Sequence, residues 1–228
     1  ESAMYPLCFR GFLASIAVAA LSLPTGCASS SGGGEPSGPA ESDARPHVEV
    51  EPEIGFTVTE ANVLPNAVMA QHAQAIALLR DDVTSNDDLG FAMLEEITAT
   101  HSGSVGPWMD LGVARAERME LDAAEAALEA AVRIAPDHPL ALNELGIVQR
   151  KLGKFGEARV SYESALAIFP QFHLALRNLG VLCDLYLGDL PCARRNYESY
   201  FVLVPGDDEV EIWLADVRAR SRSSNETN

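Results

Sequence analysis

The sequence predicts an all-α fold: an α-solenoid of about three to four helical hairpins, closed by a C-terminal capping helix and preceded by an export signal and an acidic tether. Three observations lead to it: self-similarity at a 34-residue period, a change in composition near residue 65, and a short apolar run ahead of a cysteine near the N-terminus. Alanine recurs throughout, whereas aromatic residues make up only 7%. Alanine has the highest helix propensity and lets helices approach closely, so composition already favours helices.

Residues 1–26 have the features of a signal peptide. Residues 11–23 carry no charge and follow Arg10. As a helix this run would span about 20 Å at ~1.5 Å per residue, short of a hydrocarbon core of roughly 30 Å. It fits instead the apolar centre of a secretory signal, with residues 4–10 as its leading segment. Leu23-Pro24-Thr25-Gly26-Cys27-Ala28 then resembles a bacterial lipobox, with Pro24 standing where an aliphatic residue is expected and Leu23 displaced by one. That resemblance implies that Cys27 is lipidated and becomes the mature N-terminus. Ala28, in place of an aspartate, implies sorting to the outer membrane. The expectation is a protein on the periplasmic face, touching the membrane through a lipid anchor only.

Residues 27–64 begin with a serine and glycine run and continue through Pro36, Pro39, Pro46 and Pro52 among acidic residues. A segment this poor in apolar surface does not offset its ordering entropy, which predicts a disordered acidic linker. Fully extended, it reaches about 120 Å at ~3.3 Å per residue.

The period begins after this linker. Trp108-x-x-Leu111-Gly112 is followed by Ala124-x-x-x-Leu128-x-x-Ala131 and Pro136. The same positions recur 34 residues later as Leu142, Leu145, Gly146, Ala158, Tyr162, Ala165 and Pro170. A third copy has Leu176, Leu179, Gly180, Ala193, Tyr197, Tyr200 and Pro205, its second half displaced by one residue, which predicts an insertion in the 187–191 turn. Small residues let paired helices approach, and the larger Leu128, Tyr162 and Tyr197 fill the space between hairpins. Asp122 and Glu125 have capping-box spacing, Gly153 and Gly188 suit tight turns, and the prolines end second helices.

These residues resemble the tetratricopeptide repeat family, with pattern Trp-x2-Leu-Gly-x2-Tyr, Ala-x3-Phe and Pro, over residues 105–207. Arg115, Gln149 and Cys183 replace the family's first-helix aromatic. The segmentation that follows is a degenerate hairpin over 65–104, repeats over 105–138, 139–172 and 173–207, a capping helix over 208–220 and a disordered tail over 221–228. In the capping segment Val210, Trp213, Leu214 and Val217 form one apolar stripe at i, i+3, i+4 and i+7.

Stacked hairpins curve with their first helices on the concave side. Counting around those helices places Met109, Val113, Asn143, Ile147, Arg150, Arg177, Val181 and Asp184 on that face, a surface suited to an extended peptide or an amphipathic helix. Relatives that grip acidic chaperone tails use a lysine-asparagine-arginine clamp there. Met109, Val113, Glu144 and Leu174 stand in the matching places, so that function is not implied.

The net charge of −17 opposes nucleic-acid binding. His47, His72, His101, His138 and His173 form no ligand pair, and Ser102-Gly103-Ser104-Val105-Gly106 lacks the lysine of a phosphate loop, so no enzyme, metal or cofactor is expected. Cys183 and Cys192 should lie on paired helices. In an oxidising compartment they form a disulfide worth roughly 2.5–3 kcal/mol by loop entropy, the alternative being two buried thiols. The resemblance thus implies a non-catalytic periplasmic scaffold or adaptor whose partner belongs to an envelope complex, such as pilus assembly, cell-wall machinery or an ExbB/TonB-type system. The alternative is a self-associating structural subunit, a homo-oligomer.

Overall fold

The computed structural model describes residues 47–51, 55–59, 62–80 and 84–226, all within one compact unit, Asp43–Asn228. The apolar leader, Cys27 and the first part of the linker lie outside the described residues.

Nine α-helices are found among the described residues: α1 (Asn66–Leu79), α2 (Thr84–Thr100), α3 (Val105–Glu117), α4 (Leu121–Ile134), α5 (Pro139–Lys151), α6 (Phe155–Ile168), α7 (His173–Val181), α8 (Leu190–Leu203) and α9 (Asp208–Glu226). The pairs α3/α4, α5/α6 and α7/α8 are the three expected hairpins, and α1/α2 forms the fourth. Close approach within a pair follows from the glycines. A Cβ on Gly112 would stand 2.6 Å from Leu128 Cγ, and one on Gly146 would stand 2.6 Å from Tyr162 Cε1. Tyr162 and Tyr197 are fully buried by this fit. Gly90 plays the same part in the first hairpin against Leu79, with Leu94 and Ile97 buried below it.

The turns locate the inserted residue. In the first two repeats the Glu120 N–H donates to the Arg115 carbonyl and the Lys154 N–H to the Gln149 carbonyl, both at 2.9 Å. In the third, the Asp189 N–H reaches the Cys183 carbonyl at 2.8 Å, one residue further back. The extra residue is absorbed in a π-helical segment, Leu182–Leu187, that continues α7. The insertion therefore lies upstream of most of the 187–191 turn expected from sequence, because a π-turn takes up one residue without ending the helix. Gly153 and Gly188 then take left-handed corners, at φ +78° and +64°.

Three further expectations are corrected. Asp122 and Glu125 do not form a capping box: no side chain caps α4, and Glu125 instead accepts from Lys154 Nζ at 2.6 Å. The capping helix runs to Glu226, beyond the 208–220 expected, with Arg218 on Glu198 and Arg220 on Asp216 bracing its second half. The linker, expected to be disordered through residue 64, contains an antiparallel hairpin of β1 (His47–Glu51) and β2 (Gly55–Thr59), with Val50 opposite Phe56. Phe56 meets Phe169 and Phe172 edge-on at 5.7 Å between ring centroids, and Val50 joins the same cluster. Averaging composition over the whole linker concealed a short stretch that alternates with period two.

Beneath α9, Val210, Leu214 and Val217 are buried against Leu176, Leu179, Tyr197 and Tyr200. No helix among the described residues is long and apolar enough to cross a membrane.

Candidate functional site

The 34-residue period places equivalent positions of α3, α5 and the α7–π helix in rows. Met109, Asn143 and Arg177 make one row, Val113, Ile147 and Val181 a second, and Arg150 and Asp184 belong to a third. The sequence proposed all eight as a partner-binding face, and the structure divides them.

Asn143 is only 1% exposed. Its Nδ2 donates to Glu144 Oε1 at 3.1 Å, and its Oδ1 accepts from Asn178 Nδ2 at 2.9 Å. This amide ties α5 to α7 and presents little to a partner. Asp184 is likewise buried, accepting from Arg220 of α9. Arg177 donates to Glu209 at 2.5 Å and lies 5.1 Å from the Trp213 ring centroid, so α9 engages it. Ile147 and Val181 are half-buried against the core around Tyr162 and Tyr197, and Met109 packs beside Val105 and Ala141. Val113 and Arg150 remain half-buried at the surface. Counting along the sequence finds the rows but not the cross-helix pairs that occupy some of their members, because those pairs depend on how α5 meets α7 and where α9 docks.

An acidic sector lies on the first helices of the earlier repeats. Burial pushes the Glu144 carboxyl up to about 7, opposed by the Asn143 hydrogen bond and by Lys151, with Glu117 adding to the rise. Glu117 is itself raised by burial, and burial lowers Lys151. His72 Nε2 stands 2.8 Å from Asp110 Oδ2. The available sequence signal was that Asp110 and Glu144 are also 34 residues apart.

The Cys183 and Cys192 sulfurs are bonded to each other, with Cα atoms 5.8 Å apart. The bridge fastens the π segment to the first turn of α8. Asp189 lies close enough to both sulfurs to suggest a metal cluster. Its carboxylate, however, accepts from the Cys192 N–H at 3.0 Å and from Arg159 at 3.3 Å, and sulfurs joined in a disulfide are not thiolate ligands. His138 caps α5, its Nδ1 accepting from the Ala141 N–H at 3.3 Å, and burial holds its pKa down at about 4. That imidazole is a structural acceptor. Arg194 of α8 and Arg218, Ser221 and Arg222 of α9 line a cavity of about 300 Å³ that forms only where these helices meet, a junction the 34-residue spacing does not report.

This arrangement defines a protein-interaction scaffold of stacked helical hairpins, and residues 106–171 match the tetratricopeptide repeat family model. That segment carries tetratricopeptide repeats, and the stack as a whole has the fold of tetratricopeptide-repeat proteins. Similar solved structures include MamA from Desulfovibrio magneticus RS-1, at 18% identity and TM-score 0.61, over 70% of this chain and 88% of that one. A MamA RS-1 double mutant matches at 17% and 0.62 over the same shares. PilF of Pseudomonas aeruginosa matches at 19% and 0.60, over 69% of this chain and 70% of that one. At such identities the likeness is one of fold. No curated protein matches the chain.

Proposed function

We propose that this protein is a non-catalytic adaptor held to the outer membrane on its periplasmic side through lipidated Cys27, and that its inner helical face binds a peptide or helix of an envelope-complex partner. The observation that supports this most is the composition of that face. Met109, Val113, Ile147 and Val181 offer half-buried apolar surface, bordered by Arg150 on one side and by Glu144 and Asp110 on the other. Such a mixture suits a short amphipathic segment. The apolar run before Cys27 supports export, and a disulfide between Cys183 and Cys192 suits an oxidising compartment. Pilus assembly, cell-wall machinery and ExbB/TonB-type systems are the envelope processes such an adaptor would serve. MamA and PilF share the fold at low identity and do not choose among them.

A photo-crosslinker at Val113, introduced in the living source bacterium, tests the proposal. Val113 is better placed than Ile147, which packs into the core beside Tyr162. A discrete adduct with one envelope protein is expected. Self-adducts alone would favour the alternative, a self-associating subunit. Replacing Cys27 with Ser should release the protein from the membrane fraction while leaving its fold intact; unchanged fractionation would sink the anchor.

A further inference from the structure

Basic residues are scarce in this chain, 16 against 33 acidic ones, and they are unevenly placed. Arg194 and Arg195 stand near the start of α8, and Arg218, Arg220 and Arg222 in the second half of α9. The surrounding stretches, residues 190–197 and 217–225, contain no acidic residue. Packing of α9 on α8 brings the two stretches together, and Arg194, Arg218 and Arg222 line one cavity of about 300 Å³. An arginine without a carboxylate is an ordinary surface residue. Three guanidinium groups around one opening repel each other, and an anion seated there relieves that repulsion. Their own contacts leave donors for it. Arg218 gives Nε and Nη2 to Glu198 Oε1 at 3.3 and 2.9 Å, which fixes its plane and keeps Nη1 as a donor. Arg222 Nε donates to the Arg218 carbonyl at 3.3 Å, so its terminal nitrogens remain. The Ser221 hydroxyl donates to the Val217 carbonyl at 2.7 Å, which leaves the arginines to carry the site.

The same end of the third hairpin carries exposed apolar surface. Arg220 reaches Asp184, so the second half of α9 lies beside the π segment. In that segment Leu185 is 60%, Tyr186 42% and Leu187 37% exposed. The Cys183–Cys192 bridge fastens the segment to the first turn of α8, two residues before Arg194. A soluble phosphate would satisfy the arginines and leave both leucines in water. A bilayer interface meets both needs, with phosphate groups for guanidinium forks, an acyl boundary for leucines and headgroup depth for a tyrosine ring.

We propose that this edge, formed by the start of α8, the second half of α9 and the π segment, rests on an anionic phospholipid surface. Arg194, Arg218 and Arg222 seat a lipid phosphate in their cavity, while Leu185, Tyr186 and Leu187 enter the interface. The net charge of −17 opposes approach by the rest of the protein surface. The basic edge acts within a Debye length, about 8 Å at physiological ionic strength, and so sets which side of the stack faces the membrane. This contact is additional to the lipid anchor at Cys27, which the sequence predicts to be the sole membrane contact, and does not depend on it.

The test places a fluorescent amino acid at Leu187 of the full chain and adds vesicles containing bromine-labelled lipid. The vesicles are phosphatidylcholine alone, or phosphatidylcholine and phosphatidylglycerol in equal parts. At equal protein and lipid, quenching should be about fivefold stronger with phosphatidylglycerol. Any hold supplied by the apolar leader or by Cys27 is common to both vesicles. Arg194→Gln with Arg222→Gln, both at exposed side chains, should remove the difference, and Arg133→Gln at the end of α4 should keep it. Leu185→Asn should weaken quenching by the anionic vesicles without changing the melting temperature. Equal quenching by the two vesicles, no quenching by either, or a difference that survives the double substitution would each overturn the docking edge. So would a soluble-anion site, seen as inorganic phosphate shifting the Arg194 side-chain NMR signals without any phosphatidylglycerol-dependent quenching. Crosslinking from Val113 reads the inner face and Cys27→Ser reads the anchor, so failure of either proposal is distinguishable from failure of this one.

Discussion

Gly146 sits where a single methyl group decides whether a repeat closes. With a Cβ 2.6 Å from the Tyr162 ring, Gly146→Ala must push apart α5 and α6, and should cost about 1–3 kcal/mol as an overpacked core, read as a lowered urea midpoint at unchanged slope. His138 and Glu144 work in opposite directions with pH. The folded state keeps His138 neutral down to about 4, whereas the unfolded chain takes up a proton near 6.5. Its contribution is complete above pH 6.5 and declines as pH falls toward 4, by about 2–3 kcal/mol in all. His138→Asn keeps an acceptor for the Ala141 N–H and should flatten that acid limb. Glu144 is raised to about 7, so its protonated form favours folding and ionisation erodes stability as pH rises from 4.5 through 7. Glu144→Gln should therefore stabilise the protein at pH 8 by about 1–2 kcal/mol and have little effect at pH 4. A chemical melt showing no gain at pH 8 would mean that solvent or Lys151 already compensates the charge.

Among the elements, the π segment is where sequence and structure differ most usefully. A displaced repeat showed that one residue had been inserted; where the chain would store it depended on whether a turn or a helix deforms more cheaply, and spacing does not report that. Repeat pairing itself was legible because Gly112, Gly146 and Gly180 and their large partners recur at fixed intervals. The β-hairpin was missed for the opposite reason: its only period is two, over two short stretches, and Phe56 finds its partners across the inter-repeat loops at Phe169 and Phe172. The candidate face was half legible. Its rows follow from the period, but the capture of Asp184 by Arg220 and of Arg177 by Glu209 depends on α9. Phe56→Ala removes the hairpin's aromatic contact and should make residues around 47–59 far more sensitive to brief proteolysis, with α3 to α8 still intact. Reducing the Cys183–Cys192 bridge should lower stability by roughly 2.5–3 kcal/mol, since the closed loop is short, and Cys183→Ala with Cys192→Ala should match the reduced protein.

At the scale of the whole chain, stability in a repeat stack is local, because each hairpin rests mainly on its neighbours. The buried clusters follow that rule: one joins the α1/α2 hairpin to α3 and α4, and another joins Tyr162, the third repeat and α9. Ending the chain at Asp207 removes Val210, Leu214 and Val217 from Leu176, Leu179 and Tyr200, and strips Arg177 and Asp184 of Glu209 and Arg220. Hydrogen exchange should then show the amides of α7 and α8 losing protection first, while those of α3 and α4 stay close to their values in the intact chain. The freed Arg177 and Asp184 would also return to the inner face, so a truncated protein that remains folded should bind segments the intact one ignores. Uniform loss of protection from α3 to α8 would mean instead that the hairpins unfold as one cooperative unit, with α9 stabilising the entire stack and not only its final repeat.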